Sequence, residues 1–202
     1  MRKLVILTFV SLDGVMQAPG GPEEDTSGGF KFGGWTAPYF DEASGEVMGK
    51  QMTPPFDLLL GKKTYEIFAA YWPQHSNEIG QVFDKATKYV VSDEEIDASW
   101  EKTVRIHGDV VGELKKLKAG DGPMLQVHGS SELIQTLLEN NLADELWLKT
   151  FPVTLGKGKR LFGGGVQPAA WKLTGSSVTP SGVIVANYVR DGEVRTGTMG
   201  EE

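Results

Sequence analysis

Leu58-Leu59-Leu60-Gly61-Lys62-Lys63-Thr64-Tyr65-Glu66 is the stretch whose reading decides the fold. A short apolar run, Phe56 to Leu60, has the length and composition of a buried strand, entered from Pro54-Pro55. It stops at Gly61, where the missing side chain lets another group approach the backbone. The residues after it open a predicted helix from Thr64 to Tyr71, which Pro73 ends. The first N–H groups of a helix have no partner within it and favour an anion. Lys62 and Lys63 add positive charge there, and Thr64 adds a hydroxyl. A phosphate group needs this combination, although the same residues also suit an ordinary turn capped by Thr64.

Reading outward, the same grammar recurs. Leu4 to Val10 is β-branched and aromatic on both faces, which predicts a central strand rather than a secretion signal. Further strands are predicted at Thr87–Val91, Thr103–Ile106, Met124–Val127 and Glu145–Lys149. Helices are predicted over Thr36–Met52, Asp109–Lys118 and Glu132–Glu139. The last two strands, near Trp171–Val178 and Val183–Arg190, are separated by Pro180-Ser181-Gly182 and read as an antiparallel pair. This order predicts an α/β domain over residues 1–191: a mostly parallel sheet, helices on both faces and an antiparallel C-terminal pair. Residues 192–202 form a polar tail. Residues 17–38 are rich in Gly and Pro, and a loop of that length inside a domain points to function or mobility.

Composition narrows the function. The 202 residues carry a net charge of −7 and no basic stripe, which argues against a nucleic-acid partner. No apolar run is long enough to span a bilayer, so a cytoplasmic location is the expectation. The absence of cysteine excludes disulfides, thiolate nucleophiles and Cys-ligated zinc. His75, His107 and His128 share no ligand spacing, so no metal site is expected.

Three more places carry candidate chemistry. Val127-His128-Gly129-Ser130-Ser131 is a second small-residue turn from strand to helix, where Ser130 or Ser131 would otherwise serve only as a cap. Two such turns at the carboxyl ends of parallel strands suit a dinucleotide pyrophosphate. Ser11-Leu12-Asp13-Gly14 puts a carboxylate at the end of the first strand, in what is also an ordinary Asp-Gly turn. Asp41 follows Trp35 and Tyr39, an arrangement that would hold the amidine edge of a heterocycle or simply solvate a helix start.

Taken in order with Val90-Val91-Ser92, Asp144-Glu145-Leu146 and Pro152 to Phe162, these pieces resemble the dihydrofolate reductase-like superfamily. They are closer to the reductase domain at the C-terminus of bifunctional riboflavin-biosynthesis deaminase-reductases, here as a stand-alone chain. The resemblance implies a three-layer fold on a mixed sheet of about eight strands. It also implies a homodimer and an NADPH-dependent reductase acting on a small molecule.

By family pattern Gly61, Lys62, Lys63 and Thr64 would hold the cofactor phosphates, Ser92 the adenosine ribose, and Gly129, Ser130 and Ser131 the pyrophosphate. Asp13 and Asp41 would be the catalytic carboxylates, facing substrate with Trp35 and Tyr39. In the riboflavin pathway the reduced carbon belongs to the ribose of 5-amino-6-(5-phosphoribosylamino)uracil. Three places depart from the pattern, one being Gly129-Ser130 where the folate enzymes carry a tandem glycine. Lys62 stands where arginine is usual, and Asp93 follows Ser92 where a 2′-phosphate would be repelled, so NADH stays open beside NADPH. A reductase of another pterin, carbonyl or xenobiotic substrate, or a non-catalytic dinucleotide-binding module, also fits.

Overall fold

The apolar run at the N-terminus becomes β1 (Leu4–Ser11), a central strand with β5 (Met124–Val127) on one side and β6 (Glu145–Phe151) on the other, both parallel to it. Beyond β5 lie β2 (Phe56–Gly61), β3 (Lys88–Val91) and β4 (Thr103–Ile106), again all parallel. Beyond β6 the sheet turns antiparallel through β8 (Ile184–Arg190) to the edge strand β7 (Trp171–Val178). The eight-stranded order is β4-β3-β2-β5-β1-β6-β8-β7. This computed structural model describes residues 1–53, 55–75 and 77–200; Pro54, which the sequence reading puts before the second strand, Ser76 and the last two residues of the polar tail lie outside the described residues.

Both faces of the sheet are covered, which is why β1 and β2 read as continuous apolar runs. Leu4, Ile6, Leu59, Leu125 and Val127 pack with Leu114 of α4 (Val110–Ala119) and with Leu133, Ile134 and Leu137 of α5 (Ser131–Glu139). The alternate residues Leu7, Leu58 and Leu60 pack with Tyr65 of α2 (Lys62–Tyr71) and Phe83 of α3 (Glu78–Lys85). A third cluster, Val15, Ala18, Phe30, Trp35, Phe151 and Val183, lies under the long glycine-rich loop.

The structure differs from the sequence reading in three places. No element is predicted between Pro73 and Thr87, yet α3 forms there. Asn77 caps it by accepting from the Gly80 N–H, and Ile79, Val82 and Phe83 share one face. The single helix expected over Thr36–Met52 is broken. Ala37–Tyr39 is one 3₁₀ turn, Phe40 is extended, and α1 runs only from Glu42 to Gln51. The cause is Asp41, whose carboxylate takes the Ser44 N–H at 2.8 Å and so fixes the helix start one residue after itself. Finally, α2 begins at Lys62 directly after Gly61, two residues before the predicted Thr64.

The long loop is tightly organised. Gln17 Nε2 donates to the carbonyls of Asp25 and Ser27, both at 3.0 Å, and Trp35 Nε1 donates to the Gln17 carbonyl at 2.8 Å. The loop folds so closely on itself that a Cβ on Gly33 would meet the Pro22 carbonyl oxygen at 2.6 Å.

Candidate active site

Strands β2 and β5 are parallel neighbours, so the two strand-to-helix turns singled out in the sequence emerge side by side. The Gly61 N–H donates to the Gly129 carbonyl at 3.1 Å. A Cβ on Gly61 would fall on the Ser130 side chain and lie 3.1 Å from its backbone nitrogen. A Cβ on Gly129 would lie 2.5 Å from Thr64 Oγ1. Each turn therefore needs its glycine because of the other turn. The Gly129–Ser130 peptide is cis.

Helices α2 and α5 start at this junction, and neither has a side-chain cap. The other three helices are capped by Asp41, Asn77 and Asp109, each accepting a backbone N–H. The plain alternative for these turns, Thr64 or a serine spent on capping, is thus not what the fold shows. Among the described residues no side chain accepts from the leading N–H groups of either helix, which lie at the carboxyl ends of two adjacent parallel strands.

Cations and carboxylates ring this cradle. Lys62 pairs with Glu94. Lys63 reaches Asp25 of the long loop at 2.7 Å, and Lys159 reaches the other oxygen of the same carboxylate at 2.9 Å. Burial works to raise the Asp25 carboxyl, but hydrogen bonds from Lys63, Ser27 and Lys159 hold it well below the usual range. Ser92 lies at the end of β3, and its hydroxyl donates to the Glu94 carbonyl at 2.8 Å. Arg105 grips the same segment, donating to the Ser92 carbonyl at 3.0 Å and the Asp93 carbonyl at 2.6 Å and pairing with Glu95. The Asp93 carboxylate accepts from the Gly108 N–H at 3.1 Å.

The carboxylates expected to face substrate are held by internal donors. Asp13 accepts from Ser11 Oγ at 2.6 Å, from the Leu155 N–H at 3.1 Å and from the Gly156 N–H at 2.8 Å. The Ser11 hydroxyl is the main cause that lowers its carboxyl to about 2. Asp41 takes the Ser44 N–H and hydroxyl on one oxygen and the Ser181 N–H on the other. The Ser44 backbone hydrogen bond leads in holding that carboxyl low. Both groups are therefore anions at neutral pH, suited to fixing a loop or a helix start and poorly suited to giving up a proton. Trp35 and Tyr39 come together on Phe151, with ring centroids 5.4 and 6.2 Å from it. Asp41 joins them through Ser181, whose hydroxyl donates to the Tyr39 carbonyl at 2.6 Å. Asp13 sits apart from this group, on the loop of Leu155 and Gly156.

Between α1 and the sheet lies a narrow recess lined by Phe9, Phe40, Ser44, Met48, Lys149 and Phe151, among others. The sequence reading gives Lys149 no role beyond its place in the strand Glu145–Lys149. In the fold its side chain is buried, donates to Gln51 Oε1, and lies with its Nζ 5.7 Å from the centre of the Phe9 ring. Burial pushes its ammonium down to about 7. Asp25 and Arg105 were likewise unmarked. Their only signal is charge beside a glycine-rich loop or a strand end, which many surface residues share.

The family model of the RibD C-terminal domain matches residues 2–185. This chain belongs to that family. The uncharacterized protein YyaP of Bacillus subtilis (strain 168) is 30% identical over 138 residues, 65% of this chain and 72% of that protein. Solved structures share the fold. A putative riboflavin biosynthesis protein from Shewanella sp. PV-4 superposes with a TM-score of 0.65 at 20% identity, covering 95% of this chain and 99% of that one. Dihydrofolate reductase from Enterococcus faecalis, complexed with NADP(H) and RAB-propyl, gives 0.59 at 16% identity, covering 94% and 96%. A pyrimidine reductase-like protein from Corynebacterium diphtheriae gives 0.61 at 12% identity, covering 96% and 93%. These solved structures share the dihydrofolate reductase-like fold with this chain.

Proposed function

We propose that this RibD C-terminal family member is a reductase that binds a nicotinamide dinucleotide, NADPH or NADH, across the Gly61 and Gly129 turns. The observation that carries the reading is the pair of uncapped helix N-termini, α2 and α5, held edge to edge by glycines that admit no side chain. In this reading Gly61, Lys62, Lys63 and Thr64, with Gly129, Ser130 and Ser131, hold the phosphates, and Ser92 lies toward the adenosine ribose. When bound, the dinucleotide supplies hydride. The chain's residues bind, orient and exclude water.

Substrate lies on the other side of β1, toward α1, where Trp35 and Tyr39 form an aromatic wall. Asp41 sets the start of α1, and Asp13 holds the Leu155–Gly156 loop. The substrate class is a small heterocyclic or ribosylamino compound resembling 5-amino-6-(5-phosphoribosylamino)uracil. Lys62 and Arg105 favour a 2′-phosphate, while Asp93, Glu94 and Glu95 beside them oppose it. The two dinucleotides should therefore differ modestly in affinity. The homodimer belongs to the same proposal, through the β7 edge where Leu173 and Val178 are exposed.

Titration of tryptophan fluorescence with NADPH and NADH tests the reading. Saturable quenching by at least one is expected, and no binding of either at millimolar concentration defeats it. Dinucleotide binding without oxidation against pyrimidine or pteridine acceptors would instead make the chain a binding module.

A further inference from the structure

Lys62 and Lys63, the two cations of the Gly61 turn, are both paired with carboxylates, and the two pairs differ in kind. Glu94, the partner of Lys62, has a side chain 79% exposed, so water replaces it at little cost. Asp25, the partner of Lys63, is 12% exposed and built into the loop. Its Oδ1 takes Lys63 together with the Ser27 hydroxyl at 2.6 Å and the Ser27 N–H at 3.1 Å. Its Oδ2 takes Lys159.

These two lysines belong to different bodies. Lys159 is knit to the base of the loop: its N–H donates to Gln17 Oε1 at 3.0 Å, and its carbonyl accepts from the Met16 N–H at 2.9 Å. Gln17 in turn donates to the Asp25 carbonyl. Lys63 stands in the first turn of α2. Among the described residues, its bond to Asp25 is the one hydrogen bond or ion pair that joins residues 17–38 to α2. A phosphate on the leading N–H groups of α2 would share that first turn with Lys63. Two anions then compete for one ammonium, and in this structure Asp25 holds it. Glu24, the preceding residue, adds to the negative charge there.

We propose that Asp25 is an internal counter-anion of the cradle: it takes the Lys63 ammonium that a phosphate would take, ties the glycine-rich loop to α2 through it, and gives up both when phosphate binds. The inference rests on the proposed dinucleotide site only for the identity of the natural anion. The competition itself is tested with inorganic pyrophosphate.

Asp25→Asn keeps the shape of the side chain and removes its charge. Calorimetric titration at pH 7 and low salt should show pyrophosphate binding about 3- to 10-fold more tightly to this variant, the span of one partly exposed ion pair. The difference should shrink in about 0.5 M salt, where screening weakens the pair. In the unsubstituted chain, hydrogen exchange at the Ser27, Gly29 and Gly34 amides, all bonded within the loop, should quicken as pyrophosphate is added. That readout does not depend on how the variant folds. Pyrophosphate binding that is absent, unchanged or weaker in Asp25→Asn, or loop amides that do not respond to pyrophosphate, overturns the proposal. NADPH and NADH titrated into the same two proteins separate it from the reductase reading. Pyrophosphate displacing Asp25 while neither dinucleotide binds defeats that reading and leaves the counter-anion standing. A dinucleotide bound equally by both proteins, with no effect of pyrophosphate, does the reverse.

Discussion

Lys149→Met should make the folded chain more stable at neutral and acidic pH, by an amount that shrinks as the pH rises. Burial lowers the Lys149 ammonium from 10.5 to about 7. Each pH unit of difference between folded and unfolded states is worth about 1.36 kcal/mol, so the charged side chain costs the fold up to about 5 kcal/mol below pH 7. Between about pH 7 and pH 10.5 the unfolded chain holds this proton and the folded chain does not. The native protein therefore gains stability as the pH rises through that window.

Methionine fills nearly the same volume without the charge. It also leaves Gln51 Oε1 without its donor, at a cost of about 1–3 kcal/mol. The net expectation is a gain of about 2–4 kcal/mol near pH 6. That advantage should fall by about 2–3 kcal/mol by pH 9. Urea unfolding of both proteins at several pH values measures this directly. Parallel pH profiles, or a destabilised Lys149→Met near pH 6, would refute the assignment of Lys149 as an uncompensated buried cation.

Three further outcomes follow from the same geometry. Gly61→Ala and Gly129→Ala should each force the two turns apart, costing about 1–3 kcal/mol in urea unfolding and weakening dinucleotide binding at least tenfold. Glu94→Gln combined with Glu95→Gln should release Lys62 and Arg105. The ratio of NADPH to NADH affinity in parallel titrations should then rise up to about fivefold and flatten with added salt, since exposed pairs are worth little each. Asp57→Ala should cost about 3–5 kcal/mol by leaving Arg2 buried without its carboxylate, a loss read from the unfolding midpoint with dinucleotide affinity retained.

Local chemistry made much of the fold legible. Met124–Val127 and Thr103–Ile106 fold as predicted because short β-branched or apolar runs bounded by turns have few other uses. The break at Asp41 was less legible, because Tyr39 and Phe40 continue an apolar pattern. Only the competition between Asp41 capping Ser44 and a helix carried through from Thr36 decides where α1 begins. Helix α3 was missed for a related reason: eight residues are too short for intrinsic propensity to hold, and Phe83 stabilises them by packing against Phe56, Phe68 and Trp72.

The sequence by itself determined that Gly61 and Gly129 each end a buried strand and open a helix, because a strand's apolar run and a glycine's freedom are local properties. Only the tertiary structure decided that the two turns meet. Strands β2 and β5 are separated by more than sixty residues of chain and become neighbours through crossover connections. It alone decided that Asp13 and Asp41 are held by backbone donors, that Asp25 spans Lys63 and Lys159, and that Lys149 is buried beneath α1. A side chain's partners and its access to water are set by what packs against it from elsewhere in the chain, and in these four cases that is a segment distant in sequence.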